Sequence, residues 1–288
     1  MTDNAGTFET IVDTDTAARH LDDPAWVLVD CRFQLAEPEW GRTEYLEGHV
    51  PGAVYAHLDE DLSGPVGPRT GRHPLPDPEA LRGRLASWGI RGGVQVVAYD
   101  QDAGLNASRL WWLLRAFGHR SVAVLDGGYA KWLSEGRPTK SGDERRTAAE
   151  FIGTFDRAMF AEADEVARLA GDSKHCVIDV RAPERFRGES EPIDPVPGRI
   201  PGAVNRFSGL NLTPQNTLRP AGELREELAR LFDRVPSRNV VVYCGSGVYS
   251  CHTLLAMVHA GFEPGRLYAG SWSEWCRNPD RPVGRGAA

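Results

Sequence analysis

Lysine is nearly missing from this 288-residue chain: of its 33 basic residues only Lys131, Lys140 and Lys174 are lysine. That reads mainly as genomic bias and only weakly as an anion-binding device. The formal net charge is −7, acids and bases are interspersed, and no basic run offers a nucleic-acid or membrane surface. No apolar stretch approaches the roughly 18 residues that a membrane-spanning helix needs. The N-terminal MTDNAGTFET is polar and acidic, without the apolar region of a signal peptide. Cysteine is sparse as well. Cys31, Cys176, Cys244, Cys251 and Cys276 are odd in number and widely scattered, which does not suit a disulfide framework. These absences together point to a reduced, cytoplasmic compartment. Disorder is excluded by a hydrophobic content of 41%, enough to fill the cores of two domains.

What is present comes twice. VLVDCR, GHVPGAV, VQVVAYD and LDGGYAKW in the first half return in the same order as CVIDVR, GRIPGAV, VVVYC and YAGSWSEW. Asp30 and Asp179 are 149 residues apart, Pro51 and Pro201 150, Tyr99 and Tyr243 144, Trp132 and Trp275 143. Four motifs in register indicate a duplicated domain. The polar stretch between the copies reads as a linker, giving 1–140, a linker at 141–155, and 156–288. In each copy short apolar runs such as VQVVAYD and NVVVYC alternate with helical patterns such as ASRLWWLLRAFG and SCHTLLAMVHAG. The fold class is therefore α/β: two tandem domains, each a parallel sheet covered by helices on both faces. Ligands of such sheets bind at the carboxyl ends of the strands.

Cys244 stands at one of those ends, in VVVYCGSGVYSCH. Gly245 and Gly247 allow a tight loop whose N–H groups turn toward the sulfur, and a helix starting near Ser250 adds its positive end. Both favour negative charge there, on a thiolate or on an anion carried by the sulfur. The bland alternative is a buried structural cysteine beside a turn. The first copy serves as the control: it has Asp100 in the equivalent place, so the scaffold folds without the thiol. A phosphatase loop needs an arginine after Cys-x5, and Ser250 stands there instead. A metal site from Cys244, Cys251 and His252 lacks a second ligand cluster. Neither a metal nor a cofactor is expected.

These motifs resemble the rhodanese superfamily of sulfurtransferases, over nearly the whole chain. CGSGV is similar to the active loop of the branch that uses 3-mercaptopyruvate, whereas the thiosulfate branch carries cationic side chains directly after the cysteine. The resemblance implies two rhodanese-like domains, the N-terminal one inactive and the C-terminal one catalytic. It implies a double displacement through a persulfide on Cys244. The sulfur passes from a small donor to cyanide, a thiol or thioredoxin, with no nucleic-acid or membrane partner. Gly245, Gly247, Val248 and Tyr249 form the substrate loop. Ser246, His73 of RHPLP and Asp59, with Asp61 as competitor, match a proton relay. Arg185 of DVRAPERFRG matches an arginine that grips the donor carboxylate, and Arg181 one that is structural. Asp30 and Asp179 are expected to tie loops together, and Trp272 and Trp275 to lie in the core.

Three departures stand against that pattern. Tyr249 replaces a much smaller residue and could cap the cleft. Arg199 stands where a histidine is usual. Ile193 follows Glu191-Pro192 where the mercaptopyruvate branch often has a second arginine, and Arg199 is the nearby cation in sequence that could compensate. The rival readings are a thiosulfate:cyanide sulfurtransferase and a persulfide carrier or redox sensor without turnover.

Overall fold

The computed structural model describes residues 7–101 and 103–287; the polar stretch 1–6 lies outside them. The chain packs as two units. One is the chain through Leu62 together with Asp77–Asp156; the other is Ser63–Pro76 together with everything from Arg157 on.

The first unit holds strands β1 (Ile11–Val12), β2 (Trp26–Asp30), β3 (Val54–Tyr55), β4 (Gln95–Tyr99) and β5 (Val122–Leu125), all parallel, in the order β1-β5-β4-β2-β3. The second holds β6 (Cys176–Asp179), β7 (Val204–Asn205), β8 (Val240–Tyr243) and β9 (Arg266–Leu267), also parallel, in the order β7-β6-β8-β9. Every residue of β2, β4, β6 and β8 is buried, so both faces of each central pair are covered. That is why these strands read as continuous apolar runs rather than alternating ones. The helices carry local signals too. Helix Pro78–Ser87 starts on Asp77, whose side chain accepts Glu79 N and Ala80 N, with proline at the first helical position. Helix Ala221–Phe232 buries Leu224, Leu228 and Phe232, one stripe at four-residue spacing.

The duplication is visible in the wiring. Asp30 pairs with Tyr99 in register, and Asp179 with Tyr243. Arg32 forks onto Asp30 and donates to Gly48 O at 2.7 Å; Arg181 forks onto Asp179 and donates to Gly198 O at 2.6 Å. The Tyr99 hydroxyl accepts Val50 N, and that of Tyr243 accepts Ile200 N. Trp132 donates to Pro138 O as Trp275 does to Pro282 O. Each buried aspartate–arginine pair ties a strand end to its G-x-[IV]-P-G loop. Losing one partner of such a pair costs about 3–5 kcal/mol. Trp272 and Trp275 lie in the core of the second unit.

The boundaries differ from the sequence expectation in two places. Residues 141–155 pack with the first unit rather than lying as a free linker. Phe151 is buried edge-on against Phe117, Ala149 N donates to Ala86 O, and Glu144 N donates to the Tyr45 hydroxyl. Two phenylalanines, Phe151 and Phe155, anchor a run that is otherwise polar. The second difference is Ser63–Pro76, which falls within the first copy in sequence but packs in the second unit. Arg72 N donates to Ser273 Oγ at 2.9 Å, and Arg277 donates to Thr70 O at 3.0 Å. Gly71 lies so close to the Gly270 carbonyl that an added Cβ would sit 2.4 Å from its oxygen.

Candidate active site

Cys244 directly follows β8 and precedes helix Tyr249–His259. Its backbone is fixed from below. Cys244 N donates to Ser271 Oγ at 3.1 Å, that hydroxyl donates to Tyr268 O at 2.9 Å, and Trp272 N donates to Cys244 O at 3.0 Å. Ser271 holds this position with φ +53°, a left-handed backbone that costs a non-glycine residue energy and marks a constrained site. Gly247 turns the loop with φ +80°, and a Cβ there would lie 2.4 Å from Ala269 O, so only glycine fits. The turn brings Gly247 N to within 3.2 Å of Cys244 Sγ. Cys251, one helical turn on, donates its thiol to Gly247 O at 3.3 Å.

Ser246 is buried, and its Oγ is 2.8 Å from Nδ1 of buried His73. His73 reaches this unit through the Ser63–Pro76 segment. A hydroxyl in contact with an imidazole, two residues along the chain from a thiol, can pass a proton.

Arg185, on helix Pro183–Arg187, donates to Glu191 through Nε at 3.1 Å and Nη2 at 2.6 Å, and to Asp194 at 3.3 Å. Burial raises the Glu191 carboxyl, but the Arg185 hydrogen bond and the N–H groups of Asp194 and Ile193 outweigh it and hold the group below its ordinary value. Arg181 also bonds Glu191, at 3.1 Å. A Cβ built on Gly245 would lie 3.7 Å from both terminal nitrogens of Arg185 and 3.2 Å from Nη2 of Arg72. Two guanidinium groups therefore flank the residue after the cysteine. Arg72 escapes sequence reasoning because its only signal is adjacency to His73 in RHPLP.

Of the residues expected from sequence, one unit brings together Cys244, Gly245, Ser246, Gly247, Val248, Tyr249, Arg185 and His73. Tyr249 is 42% exposed at the start of its helix. Asp59 lies in the other unit, exposed, its N–H on His57 Nδ1 at 3.2 Å. Its competitor Asp61 is occupied there, accepting His57 N at 2.7 Å and pairing with Arg84 at 2.8 Å. Arg199 does not compensate for Ile193. Its guanidinium donates to Gly286 O and Ala287 O and stacks on the Phe186 ring. The thiols of Cys31, Cys176 and Cys276 are pushed up by burial, that of Cys176 to about 11. They hold little thiolate at neutral pH.

The Rhodanese-like domain family matches this chain twice, over residues 13–135 and 162–278. The chain is 44% identical over 271 residues to a Pseudomonas aeruginosa protein named "Probable 3-mercaptopyruvate sulfurtransferase", covering 93% of this chain and 95% of that one. It is 39% identical over 269 residues to a Mycobacterium tuberculosis protein named among the thiosulfate sulfurtransferases, covering 92% and 93%. It also superposes on the crystal structure of a 3-mercaptopyruvate sulfotransferase from Escherichia coli. The TM-score is 0.78 at 30% identity, over 92% of this chain and 100% of that one.

Proposed function

Because the chain belongs to the rhodanese-like family of sulfurtransferases, we propose that it moves the sulfur of 3-mercaptopyruvate through a persulfide on Cys244 to cyanide or a thiol. The Cys244 thiolate attacks the donor sulfur. The S–S bond forms as the donor C–S bond breaks, and the electron pair stays on carbon as the enolate of pyruvate. The proton from the donor S–H ends on that carbon. Ser246 and His73, in contact at 2.8 Å, carry it. The negative charge ends on the outer sulfur of the persulfide, where loop N–H groups such as Gly247 N stabilise it. Cyanide then takes that sulfur as thiocyanate and returns the Cys244 thiolate; a small thiol or thioredoxin is the biological counterpart. Arg185 holds the donor carboxylate with the planar fork that suits it.

One observation carries this reading: the Ser246–His73 contact beside a thiol that already receives a loop N–H. It separates turnover from mere storage, because a carrier needs the cradle and no proton relay. The thiosulfate reading is favoured by one relative's name and by the second cation beside Gly245. Comparing turnover efficiency for 3-mercaptopyruvate and thiosulfate, with cyanide as acceptor, decides between them. Higher efficiency on mercaptopyruvate is expected. The reverse order would reassign the donor, and no turnover with either would leave the carrier.

A further inference from the structure

We propose that Ser273 is a positioning residue for the proton relay: its amide and its hydroxyl tie together the two chain segments that carry Ser246 and His73. This deepens the sulfurtransferase reading and rests on its relay.

Ser246 and His73 are 173 residues apart in sequence, so their 2.8 Å contact depends on how two distant segments are registered. Ser273, in helix Ser271–Trp275, is fully buried between those segments. Its N–H donates to Gly245 O at 2.9 Å, and Gly245 directly precedes Ser246. Its Oγ accepts Arg72 N at 2.9 Å, and Arg72 directly precedes His73. The same hydroxyl donates to Gly270 O at 3.2 Å, which leaves its lone pairs for Arg72 N. One residue therefore fixes the backbone one step before each member of the relay. Its neighbours complete the seat. Arg277 donates to Thr70 O at 3.0 Å, and Gly71 lies against Gly270 O, so three consecutive residues are held before the chain reaches His73.

The first unit supplies the control. Ala130 stands two residues before Trp132, as Ser273 stands two before Trp275. Ala130 N donates to Gln101 O at 3.0 Å, the counterpart of the bond from Ser273 N to Gly245 O. The backbone half of the link is thus common to both units and forms without a hydroxyl. The hydroxyl half belongs to the second unit, where the Ser63–Pro76 segment has to be held. Building the helix and the loop does not require it; holding Arg72 N does. Without that acceptor the segment can shift, and a misplacement of about 1 Å in a reacting group can cost about 10²-fold in rate.

The test uses the full-length protein with mercaptopyruvate and cyanide, and compares Ser273→Ala, Ser273→Thr, His73→Ala and the Ser273→Ala/His73→Ala double variant. Ser273→Ala should lower kcat about ten- to a hundredfold and leave KM within about twofold of wild type. Without His73 the same substitution should change kcat by less than about twofold, because a displaced histidine no longer matters once it is gone. Ser273→Thr keeps the hydroxyl and should recover most of the loss. Wild-type kcat in a folded Ser273→Ala protein overturns the proposal. So do equal losses with and without His73, which would mark a general structural role, and a threonine variant as slow as the alanine one. Should the alanine variant fail to fold, Gly71→Ala displaces the same segment by crowding Gly270, and no loss, or a loss as deep without His73, overturns the proposal equally. Wild-type protein whose Cys244 gains no sulfur, by intact mass, brings down the sulfurtransferase reading, and full turnover in His73→Ala brings down the relay. With sulfur loading and the relay both intact, failure of the Ser273 variants counts against the positioning role alone.

Discussion

Asp100 and Cys244 end equivalent strands, and their surroundings differ in one instructive way. In the first unit, Gly104 N at 2.8 Å, Asn106 N at 2.7 Å and Ala107 N at 3.0 Å all donate to the Asp100 carboxylate, and Tyr129 N donates to its carbonyl. In the second unit Trp272 N donates to the Cys244 carbonyl in the same way, but Sγ receives one N–H, from Gly247. The helix begins seven residues after Asp100 and five after Cys244, so the second loop is tighter. In the first copy this strand end is an anion cradle. The first copy fills it with its own carboxylate, two bonds beyond Cβ. A cysteine reaches as far only when it carries a second sulfur. On the proposed persulfide the outer sulfur is as far from Cβ as the Asp100 oxygens are, so the first copy is the comparison for an anion held by loop N–H groups.

The strongest way to break this comparison is to remove the thiol. Cys244→Ser should abolish sulfur transfer from either donor and leave melting close to wild type, since the scaffold folds around Asp100 in the other copy. Intact mass of the wild-type protein after donor treatment should show one added sulfur, discharged by cyanide. Sulfur found instead on Cys31, Cys176 or Cys276 would mean that the burial holding those thiols up does not protect them.

The relay comes next in size. The sequence has Asp102, not serine, two residues after Asp100, so the Ser246–His73 pair should separate a cradle from a catalyst. His73→Ala is expected to lower kcat by about 10²- to 10⁴-fold, the usual worth of a positioned acid–base group. Ser246→Ala should cost a similar amount and the double variant little more, because the two act as one unit. Full turnover in His73→Ala would leave His73 as a buried structural contact.

Much of this was legible in the sequence, and the parts that were not share a cause. The strand runs, both G-x-[IV]-P-G loops and the Cys244 loop are local patterns, written in consecutive residues. Their recurrence at nearly constant offsets supplied an internal alignment. The unit boundaries were not legible, because composition sees polarity and not the two phenylalanines that pin 141–155 to its neighbour. The transfer of Ser63–Pro76 to the second unit rests on backbone contacts such as Gly71 against Gly270, which leave no trace in composition. Arg72 was hidden for the same reason. Its partners Asp194 and Ser273 lie 122 and 201 residues away, and no local pattern links them. Arg199 shows the opposite error: nearness in sequence to Ile193 suggested a role that its carbonyl partners exclude.

A smaller effect tests the first half of the comparison. Asp100→Asn keeps the shape but removes the charge and turns one acceptor into a donor facing N–H groups. Stability should fall by about 1.5–3 kcal/mol, the worth of hydrogen bonds to a charged group, measured by chemical denaturation. Sulfur loading at Cys244 should not change. A neutral result would show that the first cradle does not depend on an anion.

The finest test moves the first copy's side chain into the second. Cys244→Asp places a carboxylate where the persulfide anion belongs, and Cys244→Asn is its uncharged control. If the tighter loop cradles anions as the first loop does, the aspartate variant should be the more stable of the two at neutral pH. A carboxylate that accepts several N–H bonds titrates below its ordinary value of about 3.9, and each unit of depression is worth about 1.4 kcal/mol. With the folded value below the unfolded one, that advantage is fully present above pH ~3.9 and disappears as pH falls through the folded value. Wild-type protein also loses stability in acid, because Glu191 is held low in the folded state. The informative quantity is therefore the difference between the Asp and Asn variants at each pH, in which that loss cancels. A difference of about 1 kcal/mol at pH 7 that closes on acidification marks the Cys244 loop as an anion cradle. An aspartate variant less stable than the asparagine one at pH 7 would mean that the two-residue shortening has turned the N–H groups away, and that the resemblance between the loops ends at the strand.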